Sequence, residues 1–185
     1  MLRNKILLPL AATLLLSGCL SSNYYVLSTA STPTQTYNDS QMIIGVEKVT
    51  VPEYLFKREI AVAESSSKIR LLSNASWAED LDAGLTQRLI RFLQKKFHAP
   101  NVYQYPWGVD KQPTKKVKVQ ISRFIAQGDK VYLDANWEVE NMRTGRSKAR
   151  LFSTTVGTSA DASDIVSAMD RAFGELEERV ARGIR

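Results

Sequence analysis

The chain has 185 residues, 44% of them apolar and 24% charged, with a formal net charge of +6. These are ordinary values for a globular domain able to bury a core. One cysteine and one histidine exclude a disulfide framework, a zinc site of the usual kind and a Cys/His catalytic dyad.

Residues 1–5 carry Arg3 and Lys5 and no acid, and eleven uncharged residues from Ile6 to Leu16 follow. A basic stretch, a short apolar run and small residues beyond it are the layout of a secretory signal. The run is too short for a bilayer, which needs about 20 apolar residues. Leu16-Ser17-Gly18-Cys19 then resembles the bacterial lipobox. That resemblance implies cleavage after Gly18, a diacylglycerol on the Cys19 sulfur and an N-acyl chain on the new terminus, with no other cofactor. Multiple acyl chains anchor stably, at about 0.8 kcal/mol per buried methylene. Leu20, rather than an acid, follows the cysteine, which favours the periplasmic face of the outer membrane by the sorting rule of enteric-type bacteria. Loss of the first 18 residues leaves 167 and lowers the net charge to +4. An exported, mildly basic domain gives no reason to expect nucleic acid.

The expected organisation is a signal over 1–18, the lipidated Cys19 with a short tether over 19–23, and one domain over 24–185. Four tether residues reach only about 14 Å, so the domain is held close to its membrane. Strands are expected at 24–27, at 42–51 before Pro52, and at 58–64 and 68–72. A Ser/Thr-rich loop over 28–36 separates the first two. Ser76 and Glu79 fit a capping box opening a helix. Leu81, Leu85, Leu89, Phe92, Leu93 and Phe97 form its apolar stripe, with Arg88, Arg91 and Lys95 read as lying off it. Ala99-Pro100 closes it.

A short strand is expected at 101–105. Residues 116–121 and 131–139 alternate cleanly and are joined by a turn at Gln127-Gly-Asp129. Pairs whose numbers sum to 256 put both apolar sets on one face, and set Lys118 against Glu138 and Lys116 against Glu140 on the other. Arg123 would point inward in that register, so a bulge is expected there. A strand over 148–156 follows. The last helix starts near Ser163, with a stripe of Ile165, Met169, Phe173, Leu176, Val180 and Ile184. The predicted fold class is α+β: a mixed, mostly antiparallel sheet with two amphipathic helices packed on one face.

Catalytic signals are sparse. His98 sits at a helix end, where a solvated role outweighs a catalytic one. Asp80 and Asp82 read as N-terminal helix charges. Nucleophile-elbow, phosphate-loop and dinucleotide patterns are not found in the sequence. The reading is a non-catalytic binding or structural protein.

Asn23-Tyr24-Tyr25-Val26-Leu27, then Ile44 to Leu55 with its Val-Thr-Val-Pro-Glu-Tyr-Leu ending, then Trp77-Ala-Glu-Asp-Leu81, Tyr105-Pro-Trp107 and the late Trp137, resemble the PqiC family of ABC-type transport auxiliary lipoproteins. The order is right across nearly all of residues 24–185. The family's usual Arg-Pro-Gln-Ile-like string is here Lys57-Arg58-Glu59-Ile60, without its proline. The resemblance implies a lipid-anchored outer-membrane subunit of an MCE-type intermembrane lipid transport system. Such a subunit docks or stabilises an MCE-domain protein, supports envelope integrity and can form a homo-oligomeric ring. Tyr24, Tyr25, Tyr54, Trp77 and Trp107 are the candidate partner-contact aromatics, because Tyr and Trp are enriched at interfaces. Packing is the competing role for each, and the favoured one for Trp77 and Trp137. Two rival functions remain: an envelope scaffold with no role in lipid traffic, and a hydrolase, which requires a pocket with convergent polar groups.

Overall fold

The computed structural model describes residues 22–27, 29, 32–108 and 112–185. Eight strands and two helices form the expected α+β arrangement. In chain order they are β1 (Asn23–Tyr25), β2 (Ile44–Glu47), a 3-10 turn (Glu53–Phe56), β3 (Glu59–Ala63), β4 (Ile69–Trp77), α1 (Leu81–Phe97), β5 (Val102–Tyr105), β6 (Lys115–Gln127), β7 (Lys130–Asn141), β8 (Ser147–Gly157) and α2 (Ala162–Ile184).

One mixed sheet contains all eight strands. β6, β7 and β8 form an antiparallel meander. The other edge of β6 is shared between two arms. β2 runs parallel to the start of β6, with Ile44 beside Lys115, and β5 extends that arm in parallel. β3 runs parallel to the end of β6, with Ala63 beside Gln127. The antiparallel β4 and the parallel β1 extend this second arm.

The β6–β7 hairpin has the anticipated register. Val117, Val119 and Ile121 pair with Val139, Trp137 and Ala135, and the predicted charge pairs stand opposite each other. The register shifts between Ile121 and Arg123, so Phe124 opposes Leu133 in the core while Arg123 turns to the other face. There its guanidinium stacks 3.9 Å from the Tyr132 ring centroid. The bulge solves the sequence conflict by adding one residue. Gly128 turns the hairpin at φ 61°, a conformation only glycine adopts freely.

Both helices cover the face that carries these apolar residues, and every residue of the two predicted stripes is buried. Several boundaries differ from expectation. The second strand ends at Glu47 because the Val49 amide donates to the Thr86 hydroxyl on α1, 2.9 Å away, rather than to a neighbouring strand. β4 runs on through Ser76 and Trp77, so no capping box forms there. The Trp77 amide is engaged by the Arg58 carbonyl at 2.7 Å, and its ring is buried in the core. The helix starts one turn later, with Asp80 at the cap position and no side-chain cap bond. Sheet pairing plus burial of an indole outweighs a local cap of about 1 kcal/mol. α1 ends at His98, exposed and in the left-handed conformation at φ 47°.

Candidate interaction surface

The helix layer is tied together by charge. Arg88 does not lie off the apolar face of α1, as its sequence class suggested; it is fully buried. It falls three residues after Leu85 and four before Phe92, on the stripe itself. Its Nε donates to Glu177 Oε1 and Nη2 to Glu177 Oε2, both at 3.2 Å, while Nη1 reaches Asp170 Oδ1 at 2.5 Å. Nη1 also donates to the Leu27 carbonyl and Nη2 to that of Asp170. The guanidinium lies 5.3 Å from the Phe173 ring centroid. A planar fork with many donors can satisfy such a set, which an ammonium could not.

A second ionic link carries the segment before β2 across the helices. Lys96 Nζ lies 2.6 Å from Glu178 Oε2, and Glu178 Oε1 accepts from the Thr34 amide and hydroxyl at 2.8 and 3.0 Å. The Tyr37 and Asp39 amides donate to the Lys96 and Phe97 carbonyls at the end of α1. Tyr37 stacks on Phe97 and is flanked by Lys96 and Arg185. Burial pushes the Glu178 carboxyl up, but Lys96 and the two Thr34 donors together outweigh it and hold the carboxyl below its ordinary value. Both networks are ion pairs between elements, and Thr34, Asp170 and Glu178 also line an open surface groove with Phe152, Arg171 and Arg179.

The five candidate aromatics divide by environment. Trp77 is buried, and Tyr25 packs partly against the core beside it in the β1–β4 register. Tyr54 is half-buried; its hydroxyl accepts the Phe124 amide at 3.0 Å, and burial raises its pKa. These three pack the fold. Tyr24 is 64% exposed. Trp107 is half-buried in an aromatic corner, edge-on to Tyr105 at 5.5 Å and to Tyr103 at 5.8 Å. A side chain at Gly45 would meet the Trp107 ring at 3.0 Å, so the bare glycine backbone is its floor. Lys116 spans Glu140, at 2.7 Å, and Glu47, at 3.8 Å, beside this corner. Its bond to Glu140 raises its pKa.

Cys19 and the predicted signal lie outside the described residues. Among the described residues no group of His, Cys, Asp and Glu is arranged to hold a metal ion, and no helix is long and apolar enough to cross a membrane. The sequence reading missed Ile69 and Leu71, exposed aliphatics on β4. Their only signal was their place in a short β-type run beside Lys68 and Arg70.

The fold recurs in solved structures. A crystal structure of an uncharacterized protein superposes with a TM-score of 0.72 at 21% identity, covering 89% of this chain and 99% of that one. One from Xanthomonas campestris, assigned to a family of unknown function, gives 0.73 at 15% identity, covering 86% and 93%. At that identity they show a shared fold and nothing further.

Sequence similarity carries the assignment further. Residues 25–181 match the family described as ABC-type transport auxiliary lipoprotein component. Over 132 residues the chain is 32% identical to the intermembrane transport lipoprotein PqiC of Escherichia coli (strain K12), spanning 68% of this chain and 69% of that protein. The Shigella flexneri PqiC matches equally. The chain belongs to the PqiC family of ABC-type transport auxiliary lipoproteins.

Proposed function

We propose that the chain is a non-catalytic, lipid-anchored subunit on the periplasmic face of the outer membrane. In this reading it docks the periplasmic MCE-domain protein of an intermembrane lipid transport system and supports the envelope barrier. Similarity to proteins named for intermembrane transport supports the process. The observation that carries the anchoring role is the position of β1, which begins at Asn23, four residues after Cys19, and is paired with β4 over its whole length. An acylated Cys19 therefore holds a folded domain within about 14 Å of its lipid.

Of the candidate contact residues, Trp107 fits a docking role best. With Tyr103 and Tyr105 it offers a rigid aromatic corner on the arm formed by β2 and β5, and rigid aromatics are favoured interface anchors. Tyr24 stands on the other arm, beside the tether. Tyr25, Tyr54 and Trp77 support the fold.

The test is complementation of a strain lacking the protein, scored by resistance to detergent. The wild-type chain restores resistance. Cys19→Ala, which cannot be acylated or processed as a lipoprotein, and Trp107→Ala, anchored but poorly docked, fail to restore it. Full resistance with Cys19→Ala removes the anchor from the function. Full resistance in the deletion strain itself leaves the scaffold reading without lipid traffic ahead.

A further inference from the structure

One corner of the sheet combines unusual exposure with closeness to the tether. Ile69 and Leu71 are 43% and 40% exposed. They alternate with Arg70, and they pair with Ala63 and Ala61 of β3. Leu72 is buried with the core, so Ile69 and Leu71 point to the face away from the helices. Further along β4, Ala75 and Trp77 face the core, which puts Ser76 and its β1 neighbour Tyr24 on the same outer face.

The tether arrives at this corner. Asn23 pairs with Ala75, and β1 is parallel to β4. Four residues back from Asn23 is Cys19, and four residues back from Ala75 is Leu71. β4 bulges between Leu71 and Ser76, where its five steps face only the two from Ala61 to Glu59, so Leu71 lies nearer Ala75 than a regular strand would put it and within the tether's reach of about 14 Å. β1 covers only Ala75 to Trp77, so among the described strands nothing pairs with this edge of β4 from Ile69 to Asn74.

The charge is suitable for anionic headgroups. Lys68 and Arg70 flank Ile69 with exposed side chains. Glu64 lies 2.6 Å from Lys68 and 3.1 Å from Arg70, so the three leave a net positive charge. Arg70 alternates with Ile69 and Leu71 and points to the opposite face, so the positive charge borders the aliphatic corner at the sheet edge rather than lying on its face.

We propose that Tyr24, Ile69 and Leu71 form a membrane-contacting corner that seats the domain on the lipid surface holding its anchor. Contact at this corner fixes the tilt of the domain, and the arm bearing Tyr103 and Trp107 is the part left free for a protein partner. The proposal rests on the anchor reading of Cys19 and adds an orientation to it.

The test uses the full lipoprotein with one new cysteine at a time, Ile69→Cys, Leu71→Cys or Leu151→Cys, the last at a site that is 87% exposed on β8. Acylation consumes the Cys19 thiol, so an environment-sensitive fluorophore labels only the introduced residue. The labelled proteins are reconstituted in vesicles of phosphatidylethanolamine and phosphatidylglycerol carrying brominated acyl chains. Labels at 69 and 71 are expected to shift to the blue and lose fluorescence to the bromine, while the label at 151 does neither. Water-exposed emission at 69 and 71, with intact mass showing an acylated Cys19, overturns the proposal and leaves the anchor standing. Shielded but unquenched labels at 69 and 71 also overturn it, because a second copy or another protein then covers the corner. An unmodified Cys19 mass overturns the anchor reading and the proposal with it.

Discussion

Arg88 on α1 and Glu177 on α2 are both fully removed from solvent and meet through two hydrogen bonds of 3.2 Å each. This pair is the only described salt bridge whose two side chains are both wholly buried. It joins the two helices over the sheet, and through the Leu27 carbonyl it also fixes the chain just after β1. The strand nearest the tether and the helix layer are therefore mechanically one body.

Arg88→Met takes the guanidinium from the buried Glu177 carboxylate, and Glu177→Leu takes two of the hydrogen bonds of Arg88 and leaves Asp170 as its acid. Arg88→Met or Glu177→Leu alone should cost about 3–5 kcal/mol in urea unfolding, and the double replacement should recover much of that loss. Additive losses in the double variant would show that the pair is not energetically coupled.

Acid should release the segment over residues 32–39. The Glu178 carboxyl has a lower pKa folded than unfolded. Its contribution is therefore fully present above the ordinary glutamate pKa, and it is lost as pH falls through the depressed folded value. Protection factors of the Thr34 and Tyr37 amides, corrected for the intrinsic slowing of exchange in acid, should fall in that window. Glu178→Gln should speed exchange at neutral pH, because the Lys96 link is weakened. Unchanged exchange in Glu178→Gln would argue that the backbone bonds to α1 hold the segment unaided.

Gly183 on α2 faces Trp137 on β7. A methyl group added there would fall 2.6 Å from ring carbon Cη2 and closer still to Cζ3. Gly183→Ala should destabilise the domain by about 1–3 kcal/mol through overpacking, despite its better helix propensity. A thermal melt shifted upward by this substitution would contradict the contact.

Tyr54 separates packing from docking. Tyr54→Phe deprives the Phe124 amide of its acceptor at the bulge and should cost about 1–3 kcal/mol of stability. Capture of the partner by the folded variant should be unchanged, whereas Trp107→Ala should weaken capture with little loss of stability. The reverse pattern would move the docking face to the bulge.

Much of the fold was legible because periodicity reports burial. The β6–β7 register followed from two independent patterns, apolar alternation and facing charges, and even the bulge at Arg123 was forced by the sequence. Arg88 was misread because residue class was put before spacing. At i+3 from Leu85 and i−4 from Phe92 it could only face inward, and Glu177, four residues after Phe173, repeats the pattern. The helix start was misread because a capping box is local, whereas the burial of Trp77 against the core depends on strands far away in sequence. Ile69 and Leu71 gave no signal as surface residues, since only the three-dimensional arrangement leaves that edge of β4 uncovered.

Affinity purification of the full lipoprotein after in-cell crosslinking, followed by mass spectrometry, tests the docking role most directly. An MCE-domain protein should be the prominent partner, in a complex that Trp107→Ala depletes and Tyr54→Phe retains. An acylated lipoprotein recovered repeatedly without any MCE-domain protein would contradict a docking subunit of a lipid transport system.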